Sequence, residues 1–314
     1  MTDFAEFHAE LRSVAGDLLA KSREVEWSSL VEAGWVGLEV PEELGGAGAT
    51  FAEVAVICEE LGRAAGATSY LGGAVLTVGV LNMLAPSDLR DELLAGMASG
   101  RIRLAVAIDG HDFVPDADVA DHVLLVTEGG VSVVKPRVIP QPVLDETRQL
   151  ATVVVDGPGE TLLFTATYVD PVRLLRDRAS VAVAVDSLGI AEAMLAATVS
   201  YAKVRHQFGR PIGSFQAVKH ACADMLVQVE VARQLTRAAV ESVTLGRTDS
   251  AASMAKAYAT SVAVDITGKA MQLHGGIGYT WESGIHVYLK RAALNRSLFG
   301  SPAAHRQVLS QRYR

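Results

Sequence analysis

The sequence contains few aromatic residues and only two cysteines. Phe, Trp and Tyr make up 6% of its 314 residues, so its helices are expected to pack mainly through Ala, Val and Leu. Cys58 and Cys222 lie far apart and form no Cys-x-x-Cys pair, which excludes a disulfide framework and a cysteine zinc site. Isolated thiols suit a reducing compartment, and a cytoplasmic location is predicted.

Basic residues are not in excess either. The formal net charge is -8 and the sequence pI is about 5.5. Because an acidic protein repels a phosphate backbone, no nucleic-acid partner is predicted. Hydrophobic residues make up 50% of the chain and the mean hydropathy is +0.26, so a large core is expected and disorder is excluded as the main state.

Membrane and catalytic signatures are also missing. Met1 to Arg12 lack a basic region followed by an apolar run, and Asp186 and Glu192 interrupt the apolar stretch from Val181 to Ala197. Neither a targeting segment nor a membrane span is therefore predicted. The histidines form no i,i+4 pair and no His-Glu-x-x-His, so no metal site is expected. Neither a Gly-x-Ser-x-Gly elbow nor a P-loop occurs.

Hydrophobic periodicity divides the chain into three parts and predicts a mainly α fold with a small central β-domain. The parts are an N-terminal helical domain over 1–102, a β-domain over 103–177 and a C-terminal helical bundle over 178–314. Thr50 and Glu53 have capping-box spacing. The predicted helices are Phe51–Arg63, Asp88–Ser99, Val181–Val204, Gln216–Thr244 and Ser250–Leu273, and the predicted strands are Leu104–Ile108, His122–Thr127, Gly130–Val134 and Leu150–Asp156.

Two glycine-rich loops in the C-terminal part are candidate binding sites. Arg205-His-Gln-Phe-Gly-Arg-Pro-Ile-Gly-Ser-Phe-Gln216 lies between two helices, where a guanidinium beside free backbone N–H groups suits a diphosphate. The alternative is a sharp turn with a solvated arginine. Gln272-Leu-His-Gly-Gly-Ile-Gly-Tyr-Thr280 allows a ligand to approach the backbone closely, or is a helix C-cap followed by a turn.

These loops, in this order, resemble the C-terminal domain of the acyl-CoA dehydrogenase family. Glu32-Ala-Gly-Trp-Val-Gly-Leu-Glu-Val-Pro-Glu-Glu-Leu-Gly-Gly46 and Cys58-Glu-Glu-Leu-Gly-Arg63 resemble its N-terminal domain. The resemblance covers nearly the whole chain. It implies an N-terminal helical domain, a β-domain and a C-terminal four-helix bundle around FAD, and an electron-transfer flavoprotein as electron acceptor.

The resemblance also implies a binding role for specific residues. Arg205 would bind the pyrophosphate of a neighbouring subunit's FAD, with Phe208 and Gln216 nearby. Gln272, Gly275 and Gly276 would flank the ADP portion of the same cofactor. The stretch Ala107-Ile-Asp-Gly-His-Asp-Phe-Val-Pro115 departs from the family, because it lacks the Ser/Thr pattern that supports the flavin and the substrate.

The family's catalytic base is missing from both of its usual places. Phe299, within Leu298-Phe-Gly-Ser301, stands where many members have a glutamate. The second place, at the start of the long helix, reads Arg178-Ala-Ser180. Asp186 is the carboxylate left on that helix, and desolvation is expected to raise its pKa and favour a role as base. A hydrogen-bonded structural acid is the alternative, so the catalytic residue is unknown at this stage.

Three functions remain open. The first is one subunit of an FAD-dependent acyl-CoA dehydrogenase that oxidises the Cα–Cβ bond of a CoA thioester. The chain resembles the short subunit of actinobacterial heterotetrameric enzymes acting on steroid-derived CoA thioesters, in which a full-length partner completes the site. The second is a scaffold subunit that is not catalytic and binds no flavin. The third is a self-sufficient homo-oligomer acting on fatty acyl-CoA.

Overall fold

The computed structural model describes residues 4–311. Residues 1–3 and 312–314, which the predicted terminal domains include, lie outside the described part. The α-helices are α1 (Phe4–Lys21), α2 (Trp27–Glu32), α3 (Phe51–Ala64), α4 (Thr77–Asn82), α5 (Asp88–Ala98), α6 (Pro171–Val204), α7 (Gln216–Thr244), α8 (Ala251–His274), α9 (Ile285–Ser297) and α10 (Pro302–Gln311).

The strands form a small β-domain between the two helical parts. They are β1 (Leu104–Ala107), β2 (Val114–Pro115), β3 (His122–Thr127), β4 (Gly130–Val134), β5 (Arg137–Gln141), β6 (Leu150–Val154) and β7 (Glu160–Leu162), with the short β8 (His206–Gln207) and β9 (Arg210–Pro211) in the later helical part. One sheet has the order β1-β3-β4-β7 and another the order β2-β6-β5. β1 and β3 are parallel and the other neighbours are antiparallel.

β1 is buried on both faces and connects two cores. Leu104 and Val106 belong to the large core shared with the helices. Ala105 and Ala107 face a smaller core between the two sheets. Because side chains alternate along a strand, these four residues fasten the β-domain to the helical parts.

The predicted fold class is confirmed, with α6 longer than expected. The capping box at Thr50 is formed, with Glu53 accepting from the Thr50 backbone N–H at 2.8 Å. α6 begins at Pro171 rather than Val181, since the Asp170 side chain accepts from the Arg173 N–H as an N-cap and proline is favoured in a first turn. The strands β2, β5 and β7 were not predicted.

α6 is the central helix of the protein. It packs against α3, α7, α8 and α9, and 78% of its most apolar window is buried inside the protein. By length and composition it is apolar enough to cross a membrane, but burial of this extent is typical of a core helix. Its crossing with α3 depends on two glycines, because a Cβ at Gly62 would lie 1.9 Å from the Asp186 carbonyl oxygen and one at Gly189 would lie 2.0 Å from that of Glu59.

A π-helical segment, Leu71–Leu76, lies in the N-terminal part and packs against β1 and β2 of the β-domain. The Gly72 N–H donates to the Asp116 carboxylate at 2.7 Å, and Thr77 Oγ1 donates to the Gly72 carbonyl at 2.7 Å. A Cβ at Gly72 would lie 2.2 Å from the Pro115 carbonyl oxygen. Burial raises the pKa of Asp116 to about 7, although the Gly72 hydrogen bond and the charge of Arg148 oppose that shift.

Asp116→Asn should therefore flatten the pH dependence of stability. Between about pH 4 and pH 7 the folded protein holds a proton on Asp116 that the unfolded chain has lost. The free energy of unfolding of the native protein then falls by up to about 1.4 kcal/mol per pH unit as the pH rises through this window. Asparagine removes this slope and still accepts from Gly72.

Urea unfolding at several pH values measures the difference between Asp116→Asn and the native protein. Asp17→Asn removes an exposed carboxylate of α1 and should retain the native slope. An Asp116→Asn protein with the same slope as Asp17→Asn would show that Asp116 is ionised in the folded state throughout this range.

Candidate active site and cofactor-binding face

A cavity of about 360 Å³ lies between the β-domain and the end of α9. Apolar side chains form most of its wall, so it suits an apolar group. The lining residues are Val106, Ala107, Ile108, Asp109, Gly110, Asp112, Phe113, Val114, Pro115, Val143, Leu150, Leu294, Ser297, Leu298, Phe299 and Gly300.

Both expected positions of the catalytic base meet beside this cavity. Phe299 lines it, and Ser180 Oγ of α6 lies 3.5 Å from the Phe299 carbonyl oxygen. Neither residue carries a carboxylate. The chain therefore brings the two family positions together but supplies no base at either of them.

Two carboxylates lie on the opposite wall of the cavity, in the stretch that departs from the family pattern. Asp109 accepts from Arg176 Nε at 2.6 Å, and Asp112 accepts from Thr152 Oγ1 at 2.6 Å. The sequence indicated only that this stretch lacks the family's Ser/Thr residues. Its two aspartates were not predicted as site residues. Both acids are already bound to partners within the β-domain and the first turns of α6.

Arg178 fills the space where α6 faces the N-terminal helices. Its Nε donates to the Val75 carbonyl at 2.7 Å, and its guanidinium forms a buried ion pair with Glu39 and lies 4.5 Å from the centre of the Phe51 ring. A Cβ at Gly79 would collide with it. The first residue of Arg178-Ala-Ser180, the second usual place of the family's base, is therefore a fixed cation.

Asp186 is a structural carboxylate. Arg291 Nη2 donates to it at 2.6 Å, Asn295 Nδ2 at 2.6 Å, and Arg148 Nη2 lies 3.1 Å away. Burial acts to raise its pKa, but Arg291 and Arg148 hold that pKa below its usual value. The expected rise in pKa is thus wrong, because the sequence did not show the two arginines that fold onto Asp186.

The first glycine-rich loop is a short hairpin, β8–β9, at the end of α6. Phe208 has φ 53° and Gly209 φ 76°, and the Phe208 side chain is 91% exposed. Arg205 and Gln216 are exposed on either side of the hairpin, and neither side chain forms a hydrogen bond with residues 4–311. α7 begins at Gln216. Its first backbone N–H groups add the positive end of a helix dipole to this loop.

The second loop lies at the same end of the bundle. Tyr201, near the end of α6, stacks on His274 at the end of α8 with 4.3 Å between ring centres, and its hydroxyl donates to the His274 carbonyl at 3.2 Å. Gln272, Gly275 and Gly276 are exposed. A Cβ at either glycine would meet no atom of the described chain within 4 Å.

The two loops form one open face with uncommitted polar groups. A guanidinium, two side-chain amides, a helix N-terminus and bare backbone fit the diphosphate and adjoining groups of a dinucleotide. The face is polar and exposed, whereas the cavity is mainly apolar and half open, so the two candidate sites suit groups of different chemistry. Within residues 4–311 no cluster of His, Cys, Asp and Glu is placed to hold a metal ion.

Family models match both helical parts of the chain. The acyl-CoA dehydrogenase C-terminal domain matches residues 173–313, and the acyl-CoA dehydrogenase N-terminal domain matches residues 3–101. Together they include both glycine-rich loops and the two residues that meet beside the cavity, Ser180 of α6 and Phe299 in the turn after α9.

Individual relatives extend this similarity over nearly the full chain. Acyl-CoA dehydrogenase IpdE2 of Mycolicibacterium smegmatis is 36% identical over 280 residues, with 88% of this chain and 84% of the relative covered. IpdE2 of Mycobacterium tuberculosis is 38% identical over 286 residues, covering 90% and 84%.

Solved structures show the same fold. A variant of the Tcur3481-Tcur3483 steroid ACAD superimposes with a TM-score of 0.88 at 26% identity and covers 98% of both chains. The ChsE4-ChsE5 complex from Mycobacterium tuberculosis superimposes with a TM-score of 0.86 at 22% identity, covering 99% of this chain and 97% of the other. From the matched domains and the IpdE2 relatives, the chain belongs to the acyl-CoA dehydrogenase family, whose members are FAD-dependent oxidoreductases acting on the CH–CH bond of acyl-CoA.

Proposed function

We propose that this chain is the short subunit of a heteromeric acyl-CoA dehydrogenase that oxidises the Cα–Cβ bond of a bulky CoA thioester. The observation that carries the proposal is that neither usual position of the family's base holds a carboxylate at the cavity, since Phe299 lines it and Ser180 lies behind Phe299. A longer homologue supplies the carboxylate that this chain lacks. Electron-transfer flavoprotein is the expected electron acceptor, and the cytoplasm the expected location.

The cofactor-binding face gives the chain a positive role in such an enzyme. Arg205 would hold the diphosphate of FAD through its guanidinium, and Gln216 and Gln272 would donate amide hydrogen bonds nearby. Gly275 and Gly276 would let the ADP portion approach the backbone. When bound, FAD supplies the acceptor for the hydride that leaves Cβ.

The α-proton must leave to a base that Phe299 and Ser180 do not provide. Removing a proton next to a thioester needs a positioned group of suitable pKa. Asp186 does not line the cavity and is held ionised by two arginines. In this proposal this chain helps to bind FAD and the acyl group, and the partner's carboxylate takes the proton.

A steroid-derived acyl group is the proposed substrate class. Support comes from the likeness to the Tcur3481-Tcur3483 steroid ACAD over 98% of both chains. The cavity of about 360 Å³ with apolar walls is compatible with part of such a group. A scaffold subunit without flavin remains the second candidate, favoured by the same absence of a base.

Arg205→Ala should weaken FAD retention in the reconstituted complex. A charge-assisted hydrogen bond contributes about 1.5–3 kcal/mol, so the dissociation constant for FAD should rise more than about tenfold. Equilibrium dialysis of the complex with FAD measures it. Arg237→Ala removes an exposed arginine about 30 Å further along α7 and should leave FAD binding unchanged; equal affinity for both variants would refute the role of Arg205.

The isolated chain should be inactive, because Phe299 and Ser180 occupy the two usual positions of the family's base and neither is a carboxylate. Turnover of CoA thioesters with an artificial electron acceptor is measured on the chain alone and after co-expression with the longer homologue. Activity and flavin absorbance are expected only in the co-expressed complex. Robust turnover by the isolated chain would overturn the heteromer proposal. An active complex whose FAD affinity is unaffected by substitutions in the two glycine-rich loops of this chain would favour the scaffold.

A further inference from the structure

Lys256 of α8 is completely buried and forms no ion pair with any described residue. Its Nζ donates to the carbonyl oxygens of Gly300 at 2.8 Å, Asn295 at 2.9 Å and Arg296 at 3.4 Å. Two of these carbonyls belong to the last turn of α9, where no further helical N–H is available to them. Burial lowers the pKa of Lys256 to about 7, whereas the carbonyls and the negative end of the α9 dipole favour the ammonium form.

His305 of α10 holds the same turn through another of its carbonyls. Its Nε2 donates to the Phe299 carbonyl at 2.9 Å, and its Nδ1 accepts from Ser253 Oγ at 3.1 Å. The two bonds fix one neutral tautomer of the ring, in agreement with a pKa that burial lowers. Ser253 lies one turn before Lys256 on α8, so both contacts originate from the same helical surface.

These contacts fix a strained residue at the edge of the cavity. Phe299 has φ 55° and Gly300 has φ 96°, and a non-glycine residue adopts such a conformation only where its surroundings impose it. The carbonyl of each of these two residues is held, by His305 and Lys256 respectively. These contacts thereby hold the direction in which the Phe299 side chain, which lines the cavity, leaves the backbone.

We propose that Lys256 and His305 are positioning residues that hold Phe299 as a fixed wall of the cavity and so determine which acyl groups the cavity admits. The inference rests on the proposed function in one respect, that the acyl group enters this cavity. Neither residue touches the cavity, and both act through the 298–301 turn. A purely structural role would instead stabilise the end of α9 without any effect on selectivity.

A ligand-free measurement tests the positioning directly. In the full chain co-expressed with its longer partner, 4-trifluoromethylphenylalanine at position 299 gives a fluorine NMR signal for the ring. One narrow resonance is expected for the native lysine, and a shifted, broadened or multiple resonance for Lys256→Met, which keeps the chain length and removes the donors. His305→Phe, which keeps a ring and removes the donor, should also alter the resonance.

Lys269→Met is the matched control, because it makes the same change at an exposed position of α8, and its spectrum should equal the native one. Native-like resonances in both Lys256→Met and His305→Phe would overturn the proposal. If Lys256→Met does not fold, His305→Phe decides between the two outcomes.

A double-mutant cycle tests the consequence for selectivity. The kcat/KM ratio for 3-cyclohexylpropanoyl-CoA over butanoyl-CoA is measured in the complex. Lys256→Met should change the ratio about fivefold or more when Phe299 is present, and less than about twofold in a Phe299→Ala background, since coupled residues are not additive.

Equal changes in both backgrounds would show that the lysine does not act through Phe299 and would overturn the proposal. A native complex that turns over no CoA thioester, including steroid-derived ones, would instead contradict the proposed function. The fluorine spectra would still decide whether Lys256 and His305 position Phe299.

Discussion

The Asp186 carboxylate, buried between Arg291 and Arg148, joins the three parts of the protein. Asp186 lies on the central helix α6, Arg291 on α9 and Arg148 in the β-domain. Arg291 Nη1 also donates to the Gly66 carbonyl of the N-terminal part and to Thr147 Oγ1. Two buried guanidinium groups without a carboxylate would carry a large desolvation cost. The cavity depends on this cluster, because it fixes α9 and the β-domain against α6.

Of the elements in residues 4–311, local chemistry made five of the ten α-helices and four of the nine strands predictable from the sequence. The Thr50 and Glu53 capping box, the small apolar face of α6 and the β-branched runs of β3 and β4 all act over a few residues. The strands β2, β5 and β7 were missed because they are short or contain proline, and tertiary pairing determines them. The early start of α6 was missed although Asp170 and Pro171 form a recognisable helix start.

The candidate site was predictable where it depends on residue identity and not where it depends on distant partners. The loss of the base at Phe299 and the two glycine-rich loops can be seen in the sequence. The counter-charges of Asp186 come from positions 38 and 105 residues away, so its environment was not visible. Lys256 interrupts a run of small residues on α8, and that interruption was an available signal for a buried cation with a special role.

Asp186→Asn in the reconstituted complex is the most direct test of whether the buried carboxylate at the centre of the protein is structural or catalytic. Asparagine keeps the volume but removes the carboxylate that pairs with both Arg291 and Arg148, so the free energy of unfolding should fall by about 3–5 kcal/mol. The rate of flavin reduction per folded complex should stay within a few-fold of the native rate. Unchanged stability with a rate loss of about 10²–10⁴ would identify Asp186 as the base and contradict this account.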